Sequence, residues 1–74
     1  MTIHLTSQEQ KVIRGILHGL SNEEISINLG LAVQTVKNHV ASIMVKTRRQ
    51  SRAKIIADFY LGHYDIQSFI LEKY

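Results

Sequence analysis

Residues 21–46, SNEEISINLGLAVQTVKNHVASIMVK, contain the pattern that predicts the fold. Counted from Asn22, the fifth residue is Ser26, the ninth is Gly30 and the fifteenth is Val36. A helix-turn-helix needs a small residue where its helices cross, a glycine for the left-handed turn, and a branched residue that packs the second helix on the first. The spacing therefore predicts two helices joined at Gly30. It makes a helical hairpin without a nucleic-acid ligand the less favoured alternative.

The second of these helices has two distinct faces. Residues that can pack inward recur at three- and four-residue steps, namely Val36, His39 or Val40, Ile43 and Thr47. The opposite, outward face carries Gln34, Lys37, Asn38, Ala41 and Val45. Lys and Gln side chains reach base edges, Asn can read adenine, and Ala permits close approach. A solvated amphipathic helix carries similar residues, but the turn before this helix favours a major-groove contact through Gln34, Lys37, Asn38 and Ala41.

The basic residues are concentrated in one segment. The net charge is only +3, but residues 37–54 contain no Asp or Glu among the cations Lys37, Lys46, Arg48, Arg49, Arg52 and Lys54. A solvated surface usually mixes both signs of charge. Cations without carboxylates beside a candidate recognition helix therefore predict a surface that faces phosphates.

The length and composition exclude several classes of protein. Seventy-four residues allow one domain with a small core, and a chain without Cys has no disulfides or thiolate zinc sites. No apolar run approaches the roughly 20 residues of a membrane helix, and the first residues lack a signal-peptide pattern, so we expect a cytoplasmic protein. The four histidines share no metal-ligand spacing and no nucleophile–base pair is visible. We therefore expect no enzyme activity, no metal and no cofactor.

The first two predicted helices begin with the same signal. Thr6 with Glu9, and Ser21 with Glu24, form capping boxes in which each side chain satisfies a backbone amide of the other residue. The apolar stripe of the first helix is Val12, Ile13, Ile16, Leu17 and Leu20. Its water-facing residues are predicted to be Glu9, Lys11, Arg14 and His18, and Gly19 ends it. The third helix has Ala32 at its start, which cannot cap it.

A fourth helix is predicted from Gln50 or Ser51 through Leu61. Its core face would carry Ala53, Ile56, Ala57 and Tyr60. This leaves Ile55 and Phe59 on a second apolar face, which predicts a dimer contact. Gly62 would end the helix, and Asp65 would cap a short fifth helix containing Ile66, Phe69, Ile70 and Tyr74. The predicted organisation is a domain over residues 5–61 and a partly helical extension over residues 62–74.

The segments LTSQE (5–9), GLSNEEIS (19–26), QTVKNHVASIMVK (34–46) and SRAKIIA (51–57) resemble the LuxR-type, or GerE-type, helix-turn-helix domain. This domain is the output module of many bacterial transcription regulators. The resemblance covers roughly residues 5 to 60 and implies an all-α, four-helix fold with the third helix in the major groove. It also implies a fourth helix that pairs two subunits on DNA. The positions of Lys37, Asn38 and Ala41 would face bases, whereas those of Asn22, Thr35 and Lys46 would meet phosphates.

Together with the basic segment, the candidate phosphate contacts are Asn22, Thr35, His39, Lys46, Arg48 and Arg52. The chain departs from the family pattern where Ser26, Ala32, Thr47 and Arg49 replace the usual Ala, Ser, Leu and Val. The expected function is sequence-specific binding of double-stranded DNA in transcription regulation. The expected partners are a second copy or another regulator, with RNA polymerase as a further candidate. The alternatives are promoter recognition like that of sigma-factor region 4, and a protein-interaction module that uses the same fold without strong DNA binding.

Overall fold

Four helices form the domain in the computed structural model, which describes residues 2–61 and 65–66, with side chains for residues 4–61. The helices are α1 (Ser7–Leu17), α2 (Asn22–Leu29), α3 (Val33–Thr47) and α4 (Arg52–Tyr60). The two-residue strands β1 (Thr2–Ile3) and β2 (Asp65–Ile66) pair in parallel. The predicted all-α fold of four helices is confirmed.

Both predicted capping boxes are present. Thr6 Oγ1 accepts from the Glu9 amide at 3.1 Å, and Glu9 Oε1 accepts from the Thr6 amide at 2.9 Å. Ser21 and Glu24 make the equivalent pair of bonds, at 3.1 and 2.8 Å. These bonds satisfy amides that have no partner inside the helix, and so they fix where α1 and α2 begin.

The turn between α2 and α3 has the predicted conformation. Gly30 ends α2 with φ 67° and ψ 34°, in the left-handed region that glycine adopts without strain. Beyond the turn, Val36 of α3 and Ile25 of α2 are buried in the same core. The helix-turn-helix is therefore formed where the spacing predicted it.

A second glycine allows α1 and α2 to approach each other closely. A Cβ atom at Gly15 would lie 2.6 Å from Cγ1 of Ile25, which is too close for any other residue without movement of that side chain. Periodicity alone gave no role to Gly15, because a glycine within a helix weakens it unless packing requires the space.

The core is built from all four helices. Its fully or nearly fully buried apolar residues are Leu5, Val12, Ile13, Ile16, Leu17, Ile25, Val36, Val40, Ile43 and Ile55. On α3 the inward position left open between His39 and Val40 belongs to Val40, since His39 is only half-buried. The buried face of α3 is therefore Val36, Val40, Ile43 and Thr47, which holds the opposite face outward.

The predicted orientation of α4 is wrong. Ile55, expected on an exposed face, is 0% exposed, and Phe59 packs half-buried against the core. Ala53, Ala57 and Tyr60, expected to face the core, are exposed, whereas Ile56 is partly buried against the core as expected. The two stripes have the same helical spacing, and the structure buries the one with the larger aliphatic and aromatic side chains, which removes more apolar area from water. Ile55 therefore has no free surface for a dimer contact.

Two further predictions need correction. Glu9, expected to face water, is 4% exposed because it bonds to side chains of α3 that lie far along the sequence. Asp65 and Ile66 do not begin a helix: both are extended, and their backbone groups pair with β1 instead. The remaining residues of the predicted fifth helix lie outside the described part of the chain.

Candidate nucleic-acid interface

The outward face of α3 is open along its whole length. Gln34, Lys37, Asn38 and Ala41, the four predicted base-facing residues, are all exposed. Gln34 Nε2 donates a hydrogen bond to Asn38 Oδ1 at 3.0 Å, which leaves the Asn38 amide donors directed away from this bond. Val45, further along this face, is 78% exposed. The face presents a cation, amide donors and acceptors, and a small residue that allows close approach.

The amino end of α3 has no side-chain cap. Ala32 has the extended conformation of an N-cap, with φ −67° and ψ 146°, but it makes no capping hydrogen bond. The first backbone amides of a helix lack intrahelical acceptors, and the helix dipole adds partial positive charge there. Thr35, a predicted phosphate contact, lies in this first turn and is half-buried. The site is suited to an anionic oxygen such as that of a phosphate.

Lys46, predicted to contact phosphate, is bonded to other residues of the domain, although its side chain remains 35% exposed. Its Nζ donates to Glu9 Oε1 at 2.6 Å and to the His4 carbonyl at 3.2 Å. Glu9 also accepts from Ser42 Oγ at 2.5 Å. Burial alone would raise the pKa of Glu9, but the bonds from Lys46, Ser42 and the Thr6 amide outweigh burial and lower it to about 2. Glu9 is therefore ionised at neutral pH.

Asn22 and Arg52, two further predicted phosphate contacts, bind each other. Arg52 Nη1 donates to Asn22 Oδ1 at 2.6 Å, and Nη2 donates to the Leu20 carbonyl at 2.6 Å. The guanidinium thus joins the start of α4 to the loop before α2 and to the first residue of α2. Both residues are half-buried.

Three of the four residues that depart from the family pattern are polar, and each has a partner in the fold. Arg49 forms an ion pair with the buried carboxylate of Asp58. Thr47 is buried, and its hydroxyl donates to the Met44 carbonyl at 3.3 Å. Ser26 does the same with the Glu23 carbonyl at 2.7 Å. The polar groups that enter the core are therefore paired, as buried polar groups require.

Arg48 differs from the cations beside it in sequence. It ends α3 with φ 58° and ψ 33°, and it is the one non-glycine residue with positive φ within residues 2–61 and 65–66. Its side chain is exposed and, like those of Lys37 and Lys54, has no hydrogen bond or ion pair with a described residue. Arg48 also lines a shallow groove with Met44, Val45, Arg49 and Gln50, which sequence reasoning did not identify.

Fewer cations of the basic segment lack a carboxylate partner in the fold than the sequence predicts. Carboxylates from α1 and α4, Glu9 and Asp58, neutralise Lys46 and Arg49. His39 remains half-buried on α3. Over the described ranges, no helix is long and apolar enough to cross a membrane, and no cluster of His, Asp or Glu has the arrangement of a metal site.

These features define a helix-turn-helix domain whose second motif helix, α3, presents an exposed polar face. The sequence pattern of the family described as "Bacterial regulatory proteins, luxR family" matches residues 4–58. The chain belongs to this family. The membership identifies a domain of regulatory proteins rather than an enzyme, and it confirms the resemblance seen in the sequence.

The relatives are regulators by name, two of the following three being named as transcriptional regulators. "Probable transcriptional regulator ycf29" of Cyanophora paradoxa is 30% identical over 56 residues, 76% of this chain and 27% of that protein. "Transcriptional regulatory protein LnrK" of Bacillus subtilis is 34% identical over 67 residues, 90% of this chain and 30% of that protein. "Nitrate/nitrite response regulator protein homolog" of Haemophilus influenzae is 36% identical over 56 residues, 76% and 27% of the two chains. The chain thus spans less than a third of these relatives.

Proposed function

We propose that this domain binds double-stranded DNA with α3 in the major groove and serves in transcription regulation. The observation that carries the proposal is the face of α3. Its buried residues fix the helix on the core, while Gln34, Lys37, Asn38 and Ala41 are exposed on the opposite side. A helix held in this way can enter a groove about 12 Å wide and bring amide and ammonium groups to base edges.

The proposed phosphate contacts flank this face. The uncapped first turn of α3, with Thr35, is suited to one phosphate, and the exposed guanidinium of Arg48, which has no partner among the described residues, to another. His39, half-buried beside the base-facing row, is a third candidate. Asn22 and Arg52 are proposed to act mainly through each other, because their side-chain groups already form a bond.

The proposed assembly is a homodimer on DNA or a pair with another regulator, through α4. The exposed residues of α4 support this surface: Ala53, Lys54, Ala57 and Tyr60 face solvent, as does Leu61 directly after the helix. This replaces Ile55 and Phe59 as the predicted contact. RNA polymerase stays a candidate partner of the DNA-bound domain.

Selection of binding sites from random duplex DNA would test the function. We expect enrichment of one short half-site, and binding that weakens as salt rises. If no sequence is enriched and no salt-dependent binding is seen, the domain is a protein-interaction module instead.

Lys37→Ala tests the placement of α3. We expect the affinity for the selected site to fall by about 1–3 kcal/mol, because Lys37 is the cation of the base-facing row. Lys11→Ala, which removes an exposed cation from α1, is the matched control and should leave the affinity nearly unchanged. Equal effects of the two variants would contradict the placement of α3 in the groove.

A further inference from the structure

The contacts of Lys46 point to a role other than phosphate binding. Lys46 and Ser42 are four residues apart and share one side of α3. Both donate to the carboxylate of Glu9, Lys46 at 2.6 Å and Ser42 at 2.5 Å. The backbone amide of Thr6 donates to the same carboxylate at 2.9 Å. One buried anion thus joins the last turns of α3 to the first turn of α1.

The helical geometry directs Lys46 away from Lys37. Lys37 and Lys46 are nine residues apart, and each residue of an α-helix turns the chain by about 100°. The two lysines therefore lie about 180° apart around α3. If Lys37 faces the groove, Lys46 lies on the side of the helix that faces α1, which agrees with its bond to Glu9.

Because Glu9 is buried, it is unfavourable for Lys46 to leave the Glu9 carboxylate and bind a phosphate instead. Glu9 is 4% exposed and stays ionised at neutral pH. A buried carboxylate that loses its cation is strongly destabilised, because water cannot replace the lost partner. Arg48, by contrast, is exposed and has no partner among the described residues, so contact with a phosphate breaks no existing bond.

We propose that Lys46 is a positioning residue, held by Glu9, that fixes the orientation of α3 on α1, and that it is not a ligand of DNA phosphate. The inference rests on the DNA binding proposed above. It gives Glu9 a place in DNA recognition although the residue lies on α1, behind the recognition helix. The phosphate contact at this end of α3 belongs to Arg48.

Affinities for the selected duplex and for a random duplex of equal length, measured over a salt series, test the proposal. We expect Lys46→Gln and Glu9→Gln each to weaken binding to the selected site roughly tenfold, similar to the loss of one base contact. Binding to random duplex and the slope of log affinity against log salt should change little. The double variant should be no weaker than the weaker single variant, because both changes remove the same interaction.

Arg48→Gln is the matched comparison for a lost phosphate contact. It should weaken binding to both duplexes alike and make the salt slope shallower by about 0.9. The proposal is overturned if Lys46→Gln behaves in this way, or if Glu9→Gln strengthens binding by releasing Lys46. Absence of salt-dependent binding by the wild type would overturn the proposed function itself, and this inference with it.

Ser42→Ala keeps the test decisive if Lys46→Gln fails to fold, as judged by circular dichroism. This variant removes one hydrogen bond to Glu9 and retains the Lys46 ion pair. We expect a smaller loss at the selected site, about two- to fivefold, with an unchanged salt slope. Wild-type affinity of a folded Ser42→Ala variant for the selected site would contradict the positioning role.

Discussion

Glu9 makes the stability of the domain depend on pH. Burial would raise the pKa of its carboxyl, but hydrogen bonds from Lys46, Ser42 and the Thr6 amide lower it from the ordinary 4.5 to about 2. Because the folded pKa lies below the unfolded value, ionised Glu9 stabilises the fold fully above about pH 4.5. This stabilisation is lost as the pH falls from about 4.5 to about 2.

Glu9→Gln should remove this pH dependence. Between about pH 5 and pH 2, the wild type should lose up to about 3 kcal/mol more free energy of unfolding than the variant does. Urea denaturation at a series of pH values measures the difference. Glu24→Gln, which alters an exposed capping box, is the control and should follow the wild-type profile more closely. Parallel profiles for wild type and Glu9→Gln would refute the role of Glu9.

Arg48 combines a left-handed backbone with an exposed side chain that has no partner within the described ranges. A non-glycine residue in the left-handed region is destabilised by about 1–2 kcal/mol. Arg48→Gly should raise the free energy of unfolding by about 0.5–1 kcal/mol, since part of the gain is offset by the greater freedom of glycine in the unfolded chain. The same variant should bind DNA more weakly, with a shallower salt slope.

Arg48→Ala separates these two effects. It removes the charge but keeps a Cβ atom in the strained conformation, so it should lose the same DNA affinity without the gain in stability. Thermal unfolding and DNA titration of both variants provide the measurements. If Arg48→Gly is no more stable than Arg48→Ala, the backbone at this residue is not strained.

The role of Glu9 could be predicted only in part. The spacing of Thr6 and Glu9 predicts the capping box, because both partners are local. The burial of Glu9 could not be predicted in the same way, since Ser42 and Lys46 lie 33 and 37 residues further along the chain. Helical periodicity predicts that a carboxylate is exposed, because this periodicity carries no information about partners from distant parts of the chain.

The start of α3 lacks a side-chain cap, as the sequence predicts. Ala32 already has N-cap backbone angles, so a Ser side chain there could accept a hydrogen bond from the first turn without backbone movement. Ala32→Ser should raise the free energy of unfolding by about 0.5–2 kcal/mol, measured by chemical denaturation. Ala57→Ser, at an exposed position inside α4, is the control and should be neutral or slightly destabilising. An unchanged midpoint for Ala32→Ser would show that the first-turn amides are already satisfied.

The sequence predicted the buried face of α3 better than that of α4, because polar residues mark the exposed side of α3. In α3 the polar residues Gln34, Lys37 and Asn38 mark one side, so the buried side is determined by exclusion. In α4 apolar residues occur on two sides. The choice between them depends on which side chains fill the space beside α1, and that depends on residues of other elements. The ion pair between Arg49 and Asp58 lies on the side that is buried.

The net charge of a surface likewise depends on the fold of the whole domain. Residues 37–54 contain no acidic residue, yet Glu9 and Asp58 neutralise two of the cations from either side of the segment. Arg52 is also held, by Asn22 and the Leu20 carbonyl. The sequence therefore overestimated how many cations of this segment are free to bind an anion.

In the proposed dimer, the second copy packs on the outer face of α4. Ala53 and Ala57 are small, exposed residues one helical turn apart, which would let two α4 helices approach closely. Tyr60, 66% exposed, and Leu61, 69% exposed, extend this surface beyond the last turn. Two domains paired in this way would place their recognition helices about 34 Å apart, one turn of DNA, and so prefer an inverted repeat.

Ala57→Glu tests this arrangement. Two glutamates would face each other across a paired α4, and such desolvated like charges are unfavourable, whereas an isolated domain should tolerate an exposed Glu within a helix. We expect wild type to fill two inverted half-sites cooperatively, and Ala57→Glu to fill them independently with the single-site affinity retained. Sedimentation on duplexes with one and two half-sites measures both quantities. Ile27→Glu, which replaces an 80% exposed residue of α2, is the matched control and should remain cooperative. If Ala57→Glu is as cooperative as wild type, the two copies do not meet through α4.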